Sequence, residues 1–425
     1  MAATRESGTA MMWRSRRILL ASLVGTAVEF YDFYIYATAA SLVFGLLFFP
    51  ADSDTARTML AFGSFALAFF ARPVGAIIFG HFGDRVGRKS TLVASLMLMG
   101  GSTVAIGFLP SFQTAGLLAP LLLCLFRLGQ GFGLGGEWGG AALLATENAP
   151  AGWKARFGMM PQLGAPVGFL AANGLFLILG AVLSEADFLA WGWRVPFIGS
   201  AALVLLGLWV RLKLTETPEF AAALRDGPPE GVPIVDLLRN HLGTTITATL
   251  AVVTCFAIFY IATAFTLAHA TQILGLKREA VLGVQLGAIL FLALGIVHSG
   301  WWADRSGARA VLIAGCIGTV PMGIVLGPLL ATGSLVLIFV ALAAALYLMG
   351  LAYGPLGGWL SDRFPTRVRY TGASMAFNLG GIIGGGLAPL AAQALAAHYG
   401  TASVGLFLTA ASLFSLIGLW LSPKG

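Results

Sequence analysis

Five ionisable side chains stand inside runs of otherwise apolar sequence, and their spacing suits them to chemistry. Glu29 and Asp32 are three residues apart and Tyr36 follows Asp32 by four, so one helix face carries two carboxyls and a phenol. Arg127, Gln130, Leu134 and Glu137 recur at steps of three, four and three, a second helical stripe holding a guanidinium, an amide and a carboxyl. Arg72 is a single cation in another apolar run. An ionisable residue at mid-membrane costs about 2.5–3.5 kcal/mol on insertion scales, so such groups face a cavity or a partner. Burial favours the neutral form of a carboxyl and a nearby Arg favours its charged form, so an acid in this setting can load and release a proton. Asp32 and Glu29, with Glu137, are therefore the candidates for proton coupling. Arg127, with Arg72 as a second cation, fits an anionic ligand. The competing reading makes the same charges fixed interhelical ion pairs.

The elements that position these residues are membrane helices. The chain is 58% hydrophobic and 10% charged over 425 residues, where soluble domains carry about 25% charged residues. An apolar run of about 20 residues suffices to cross a bilayer. The sequence predicts twelve, at 18–47, 59–82, 90–109, 116–142, 157–183, 194–213, 243–272, 280–300, 309–330, 334–360, 371–397 and 402–422. The first is too long for a cleaved leader, and Glu29 and Asp32 interrupt it. At about 1.5 Å per residue, Asp32 lies roughly 21 Å from the inner end of span 1 and Arg127 roughly 17 Å from the outer end of span 4. Both estimates fall near the midplane.

Lys and Arg are retained on the cytoplasmic side of membrane proteins. With the N-terminus inside, 19 of the 25 Lys and Arg fall in cytoplasmic segments and 4 outside (Arg57, Arg194, Lys277, Arg278). Both termini are therefore expected in the cytoplasm. The net charge of +7 follows from this topology and not from a nucleic-acid surface. Residues 214–242, Pro- and Gly-punctuated, separate six spans (1–213) from six (243–425). The second half has no intramembrane Asp, Glu, Lys or Arg. Its polar residues are neutral or weakly basic: Tyr260, Thr263, His269 and Gln272 on span 7, Gln285 and His298 on span 8, Tyr347 and Tyr353 on span 10, Asn378 on span 11. Charge recognition is thus expected in the first half and shape and aromatic contacts in the second, across a central cavity.

No metal or disulfide spacing exists among Cys124, Cys255 and Cys316 or among the five histidines, and no cofactor is expected. Gly131-Phe-Gly133-Leu-Gly-Gly136 formally fits a dinucleotide fingerprint, but it lies inside a span, where small residues serve close helix packing. No nucleophile–base pair points to an enzyme.

A loop after span 2, Gly80-His-Phe-Gly83-Asp84-Arg85-Val-Gly87-Arg88-Lys89, returns 220 residues later after span 8 as Gly300-Trp-Trp-Ala303-Asp304-Arg305-Ser-Gly307-Ala-Arg309. A repeat at half the chain length marks a duplicated bundle. The loop resembles the signature of the major facilitator superfamily. Arg127-Leu-Gly-Gln130-Gly131, and Glu147-Asn-Ala-Pro150 with Arg156, resemble further motifs of that superfamily. Within it, Glu29-Phe-Tyr31-Asp32, Arg72-Pro73-Val-Gly75, Gly135-Gly136-Glu137-Trp-Gly-Gly, Trp191-Gly-Trp193-Arg194-Val-Pro196, Glu216-Thr-Pro218-Glu-Phe220 and Phe364-Pro365-Thr-Arg367-Val-Arg369 resemble the metabolite:proton symporters. Gly135–Leu144 and Thr271–Glu279 are most similar to the shikimate-transporter branch.

The resemblance implies an all-α membrane protein of two pseudo-symmetric six-helix bundles in a bacterial inner membrane. It implies a proton-coupled symporter that imports a small organic acid, shikimate-like or another carboxylate, by alternating access and acts as a monomer. A transporter of a zwitterionic osmolyte such as proline or betaine, or an uncoupled facilitator, is the alternative. Candidate cargo contacts are Arg127, Tyr36, Gln130, Arg72, Tyr260, His269 and Asn378, with Tyr347 as a further aromatic. Arg127 is expected to pair with an acid when empty and with the cargo's carboxylate when loaded. The resemblance gives a gating role to Gly83, Asp84, Arg85, Gly87 and Arg88, to Glu147 and Arg156, and to Asp304, Arg305 and Arg309. Ala303 and Ala308, standing where the first copy has Gly83 and Arg88, predict a looser gate in the second half.

Overall fold

A computed structural model describes residues 15–86, 88–135, 142, 145–146, 149–212, 233–365 and 368–422, without the side chains of 17, 18, 21, 80–90, 92, 210–212 and 233. Among the described residues all regular structure is helical. Ten helices are long and apolar enough to cross a bilayer, and two shorter apolar ones complete the twelve. In chain order the spans are α1 (Ser22–Phe48), α2 (Asp54–Phe79), α3 (Val93–Ile106), α4 (Leu118–Leu134), α5 (Lys154–Val182) and α6 (Glu185–Trp209) in the first half. The second half holds α7 (Leu242–Gln272), α8 (Arg278–Ser306), α9 (Ala308–Ala331), α10 (Leu335–Asp362), α11 (Arg369–Tyr399) and α12 (Thr401–Leu421). The span positions follow the hydropathy reading closely. Between the halves the structure adds a short helix, Pro233–Asn240, at the end of the stretch that the sequence reads as linker; its Leu237 is fully buried.

Glycine sets the closest helix crossings, because each lacks the side chain that would hold two backbones apart. A Cβ on Gly75 would lie 2.1 Å from the carbonyl oxygen of Phe132, one on Gly131 2.2 Å from that of Ala68, and one on Gly135 2.0 Å from that of Arg72. These three lock α2 against α4. The second half repeats the device between α8 and α10, where a Cβ on Gly295 would meet the Tyr347 carbonyl oxygen at 2.4 Å and one on Gly350 the Gly295 backbone at 2.7 Å. The glycine-rich run in span 4 thus packs helices, as its sequence context indicates; Gly136 lies outside the described residues.

Among the described residues, four short π-helical segments interrupt the spans: Ala40–Phe44 in α1, Phe188–Gly192 in α6, Ile261–Phe265 in α7 and Ile382–Gly386 in α11. The segments of α1 and α7 occupy corresponding places in the two halves and touch, Ser41 Oγ donating to the Ala264 carbonyl at 3.0 Å. A π turn lets carbonyls escape the i→i−4 ladder and accept other donors.

Candidate functional site

The stripes on α1 and α4 converge, with α2 and α3 closing the sides. Arg127 is completely buried. Its Nε donates to the Phe65 carbonyl at 3.3 Å and its Nη1 to Gln130 Oε1 at 2.8 Å, while Nη2 has no acceptor. Its guanidinium carbon lies 4.1 Å from the Phe33 ring centre and 4.0 Å from that of Tyr36, so two aromatic faces carry the charge. The Tyr36 hydroxyl is held by Ser64 Oγ at 2.8 Å, which fixes the ring under the cation.

Gln130 and Asp32 meet through a residue that the sequence reading passed over. Gln130 Nε2 donates to Thr103 Oγ1 at 2.8 Å. The Thr103 hydroxyl in turn lies 3.3 Å from Asp32 Oδ2 and 3.0 Å from the Met99 carbonyl, with one proton to share between them. Asp32 is 2% exposed and its Oδ1 has no partner. Among the described residues Arg127 pairs directly with no acid; Glu137, a further candidate for the expected pairing, lies outside them. Arg127, Gln130, Thr103 and Asp32 form a chain with an unpartnered amino group, Nη2, at one end and an unpartnered carboxyl oxygen, Oδ1, at the other. Thr103 carries no sequence signal of its own, because a threonine in an apolar helix usually bonds its own backbone.

Arg72 joins the same cluster from α2. Its guanidinium carbon is 4.3 Å from the Phe33 ring centre and 4.6 Å from that of Phe69, and its Nε has no partner. Glu29 is the carboxylate within electrostatic reach of it. Phe33 is thus shared by both arginines. Tyr260 of α7 closes the cluster from the second half, with ring centres 5.2 Å from Phe65 and 5.6 Å from Phe69. Asn378 of α11 reaches across to donate to the Gly135 carbonyl at 3.1 Å. Glu137 lies outside the described residues.

Two expected contacts belong elsewhere. His269 sits at the outer end of α7, stacked on Phe265 and 3.4 Å from Thr401 Oγ1 of α12, within the second half and away from the arginines. Tyr347 pairs its hydroxyl with the exposed His298 on the outer surface of α8 and α10. Both residues stand out in the sequence as polar groups in apolar helices, and helix periodicity alone does not say which face looks inward.

With this geometry in view, the chain matches the "Sugar (and other) transporter" family over residues 18–226 and 236–423. It belongs to that family of the major facilitator superfamily. It is 48% identical to the inner membrane metabolite transport protein YhjE of Escherichia coli over 96% of this chain and 94% of the relative. It is 37% identical to the E. coli shikimate transporter over 96% and 95% of the two chains. The xylose transporter XylE from E. coli, in a partially occluded inward-open conformation, superposes with a TM-score of 0.75 at 16% identity, covering 96% of this chain and 97% of that one. That likeness speaks to the fold alone. The protein is a bacterial inner-membrane transporter of small-molecule metabolites and not an enzyme.

Among the described residues, contacts join the two halves on both faces. On the cytoplasmic side, Asp304 of α8 accepts from the backbone N–H of Ala155 at 2.8 Å and of Arg156 at 3.3 Å, and from Arg156 Nε at 2.6 Å, so one second-half carboxylate caps and pairs the start of α5. Lys154 pairs with Asp362 beside it. The second loop copy is thus tied to the first half; the first copy, against which Ala303 and Ala308 predict a looser hold, has its side chains outside the described residues. Asp304, the residue that both copies share at this position, makes the tie. Gly307 turns the loop with φ +84°, a conformation that favours glycine. Arg305 is exposed, and Arg309 donates to the Trp420 carbonyl of its own half. The side chains of Asp84, Arg85 and Arg88, with Gly83, and the whole of Gly87 and Glu147, lie outside the description. On the outer side, Gln272 accepts from Thr58 Oγ1 at 2.6 Å and donates to the Ser41 carbonyl at 2.9 Å, and Arg278 pairs with Glu185 at 2.7 Å.

Proposed function

We propose that this chain imports a small organic acid together with a proton by alternating access. The observation that carries the reading is Arg127: a fully buried guanidinium that meets no carboxylate among the described residues and keeps its Nη2 amino group without an acceptor. A buried cation left without an anion costs several kcal/mol. A cargo carboxylate on Nη2 removes that cost with a charge-assisted hydrogen bond. Arg72, sharing the Phe33 ring, adds a second positive charge that repels the ammonium end of a zwitterion. An anion is therefore favoured over proline or betaine.

Asp32 couples the proton by charge balance. A cargo anion near Arg127 disfavours a second negative charge close by, so its arrival favours the protonated form of Asp32. Apart from Arg72, whose charge Glu29 offsets in both states, the loaded site then holds one cation, one anion and one neutral acid. The empty site holds Arg127 and a charged Asp32 linked through Gln130 and Thr103. Both are electrically balanced and can move through the closed state. Cargo without a proton, or a proton without cargo, leaves an unbalanced charge in the membrane interior. Arg156, Asp304, Lys154 and Asp362 serve as the inner gate, and Gln272, Thr58, Ser41 and Arg278 as the outer one.

The test uses purified protein in liposomes with a carboxylate cargo and an imposed pH gradient. Asp32→Asn is expected to abolish gradient-driven accumulation while cargo counterflow continues, and Arg127→Gln to abolish both. Accumulation that still follows the pH gradient in Asp32→Asn overturns the coupling role.

A further inference from the structure

Polar residues stand on the lipid-facing side of α8. Leu290, Leu294, Val297 and Trp301 are exposed at steps of four, three and four, the row that meets the acyl chains. His298 and Arg305 are exposed on the same face. From His298 the steps to Trp301, Trp302 and Arg305 are three, four and seven, so the four side chains form one stripe about 10 Å long. The apolar run of this span ends at Gly300. His298 therefore lies in the last turn within the bilayer, the two indoles at its boundary and Arg305 at headgroup level on the cytoplasmic side. The repeated loop does not account for the stripe: 220 residues earlier, Ile78 stands where His298 does and His81 where Trp301 does.

A hydrogen-bond donor is left over in this stripe. His298 Nδ1 and the Tyr347 hydroxyl of α10 meet at 2.5 Å, and the imidazole stacks on Trp302 with ring centres 5.7 Å apart. A neutral imidazole and a phenol bring one N–H and one O–H, and their mutual bond uses one of the two. Where Tyr347 donates, the Nε2–H of His298 remains; where His298 donates, the Tyr347 proton remains. Either way one donor at this exposed pair has no protein acceptor among the described residues. Acyl chains offer none, and a polar group left unpaired in lipid is costly. The ester carbonyls of a phospholipid, which only accept, lie where its headgroup joins its chains. One turn nearer the cytoplasm, the Arg156 guanidinium of α5 lies 4.8 Å from the Trp301 ring centre and is itself held by Asp304. Arg305 presents its charge at the open end of the stripe.

We infer that this stripe binds one anionic phospholipid of the inner leaflet. The order of groups decides the occupant. From the cytoplasm inward, such a lipid presents an anionic phosphate, then ester carbonyls, then chains. In the same direction the stripe presents a guanidinium, two indoles, a hydrogen-bond donor, and then Leu294 and Leu290. A soluble anion matches only the Arg305 end. The site continues the row of α8 that lipid already covers, and what it adds is a headgroup held in register. Because Trp301 also touches Arg156, the bound lipid lies against the inner tie between the halves, and its occupancy bears on how readily that face opens. None of this depends on the identity of the cargo.

The experiment binds a fluorescent phosphatidylglycerol to the full transporter in detergent. Unlabelled phosphatidylglycerol, phosphatidylcholine with the same chains, and inorganic phosphate are the competitors. The intact protein is expected to favour phosphatidylglycerol over phosphatidylcholine by about fivefold, the worth of one basic residue at a membrane surface. Inorganic phosphate is expected not to displace the probe. Arg305→Gln should erase the preference between the two lipids. His298→Phe combined with Tyr347→Phe keeps both rings and removes both donors, so it should weaken the two lipids alike, by about fivefold, and leave the preference between them. Arg239→Gln, which removes an exposed cation of the short helix between the halves, should change neither quantity. Equal affinity for both lipids in the intact protein, a preference that survives Arg305→Gln, or displacement by inorganic phosphate overturns the site. An equal loss in Arg239→Gln also overturns it, since the effect is then one of net charge. So does a dimer that covers His298 and excludes the probe, seen as a doubled particle mass.

Discussion

At the scale of single residues, the relay from Arg127 to Asp32 turns on a hydroxyl. Thr103 takes the Gln130 amide on one lone pair and shares its proton between Asp32 and the Met99 carbonyl. Thr103→Val keeps the shape and removes both bonds. If coupling runs through the balance between Arg127 and Asp32, the variant loses most proton-driven accumulation, by about tenfold or more, while counterflow of cargo persists. Thr103→Ser restores it, because the hydroxyl returns. A valine variant that accumulates cargo normally would show Thr103 to be mere packing. This residue also marks what the sequence hides. Asp32, Arg127 and Arg72 are legible because a charge in an apolar run is expensive and demands a reason. Thr103, Thr38, Ser64 and Asn173 carry no such cost signature, since small polar side chains in membrane helices routinely bond their own backbone. Only the folded chain shows that Thr38 reaches Asn173 and Ser64 reaches Tyr36.

At the scale of helices, the site's precision rests on the crossing of α2 and α4. Gly75, Gly131 and Gly135 let the two backbones touch, and this contact sets Arg72 of one helix beside Arg127 of the other. Gly131→Ala drives a methyl against the Ala68 carbonyl, where only 2.2 Å is available, and forces the helices apart. Such overpacking costs about 1–3 kcal/mol. The expected result is a lower melting temperature in detergent together with weaker cargo binding. Gly174→Ala, with nothing within 4 Å of its new methyl, serves as the control and should leave both unchanged. If the two variants melt alike, the crossing is looser than drawn here. The glycine pattern of span 4 could be read as packing from its surroundings, and the twelve spans from hydropathy. The π segments could not, because a π turn shifts the register of hydrogen bonds without altering which residues are apolar. The bonds that Gln285 donates to the Ala262 and Thr263 carbonyls, within the π segment of α7, were hidden for the same reason.

At the scale of the whole molecule, the doubled loop announces two halves but not how they hold each other. Asp304 shows the difference. Its side chain is 3% exposed and serves three donors of α5 at once, whereas the outer seal relies on neutral bonds at Gln272 and on an ion pair whose Glu185 is 68% exposed. An exposed pair contributes about 0–1 kcal/mol, while breaking a buried one strands a charge and costs about 3–5 kcal/mol. The inner seal is therefore the stronger of the two, and the cargo-free transporter should open outward more readily than inward. Asp304→Asn removes the charge and keeps the size, so it should reverse that preference. Spin labels at the exposed positions Ala151 and Ser306 read the inner face, and labels at Asp54 and Ile273 read the outer one. In the intact protein the outer pair should show the broader distance distribution. In Asp304→Asn the inner pair should broaden and the outer pair narrow, since alternating access couples the two faces. Gln272→Ala should act in the opposite sense and widen the outer pair further. Inner-face distances that stay put in Asp304→Asn would mean that Lys154 and Asp362 alone keep the cytoplasmic side shut, and that the residue common to both loop copies is not the gate's main tie.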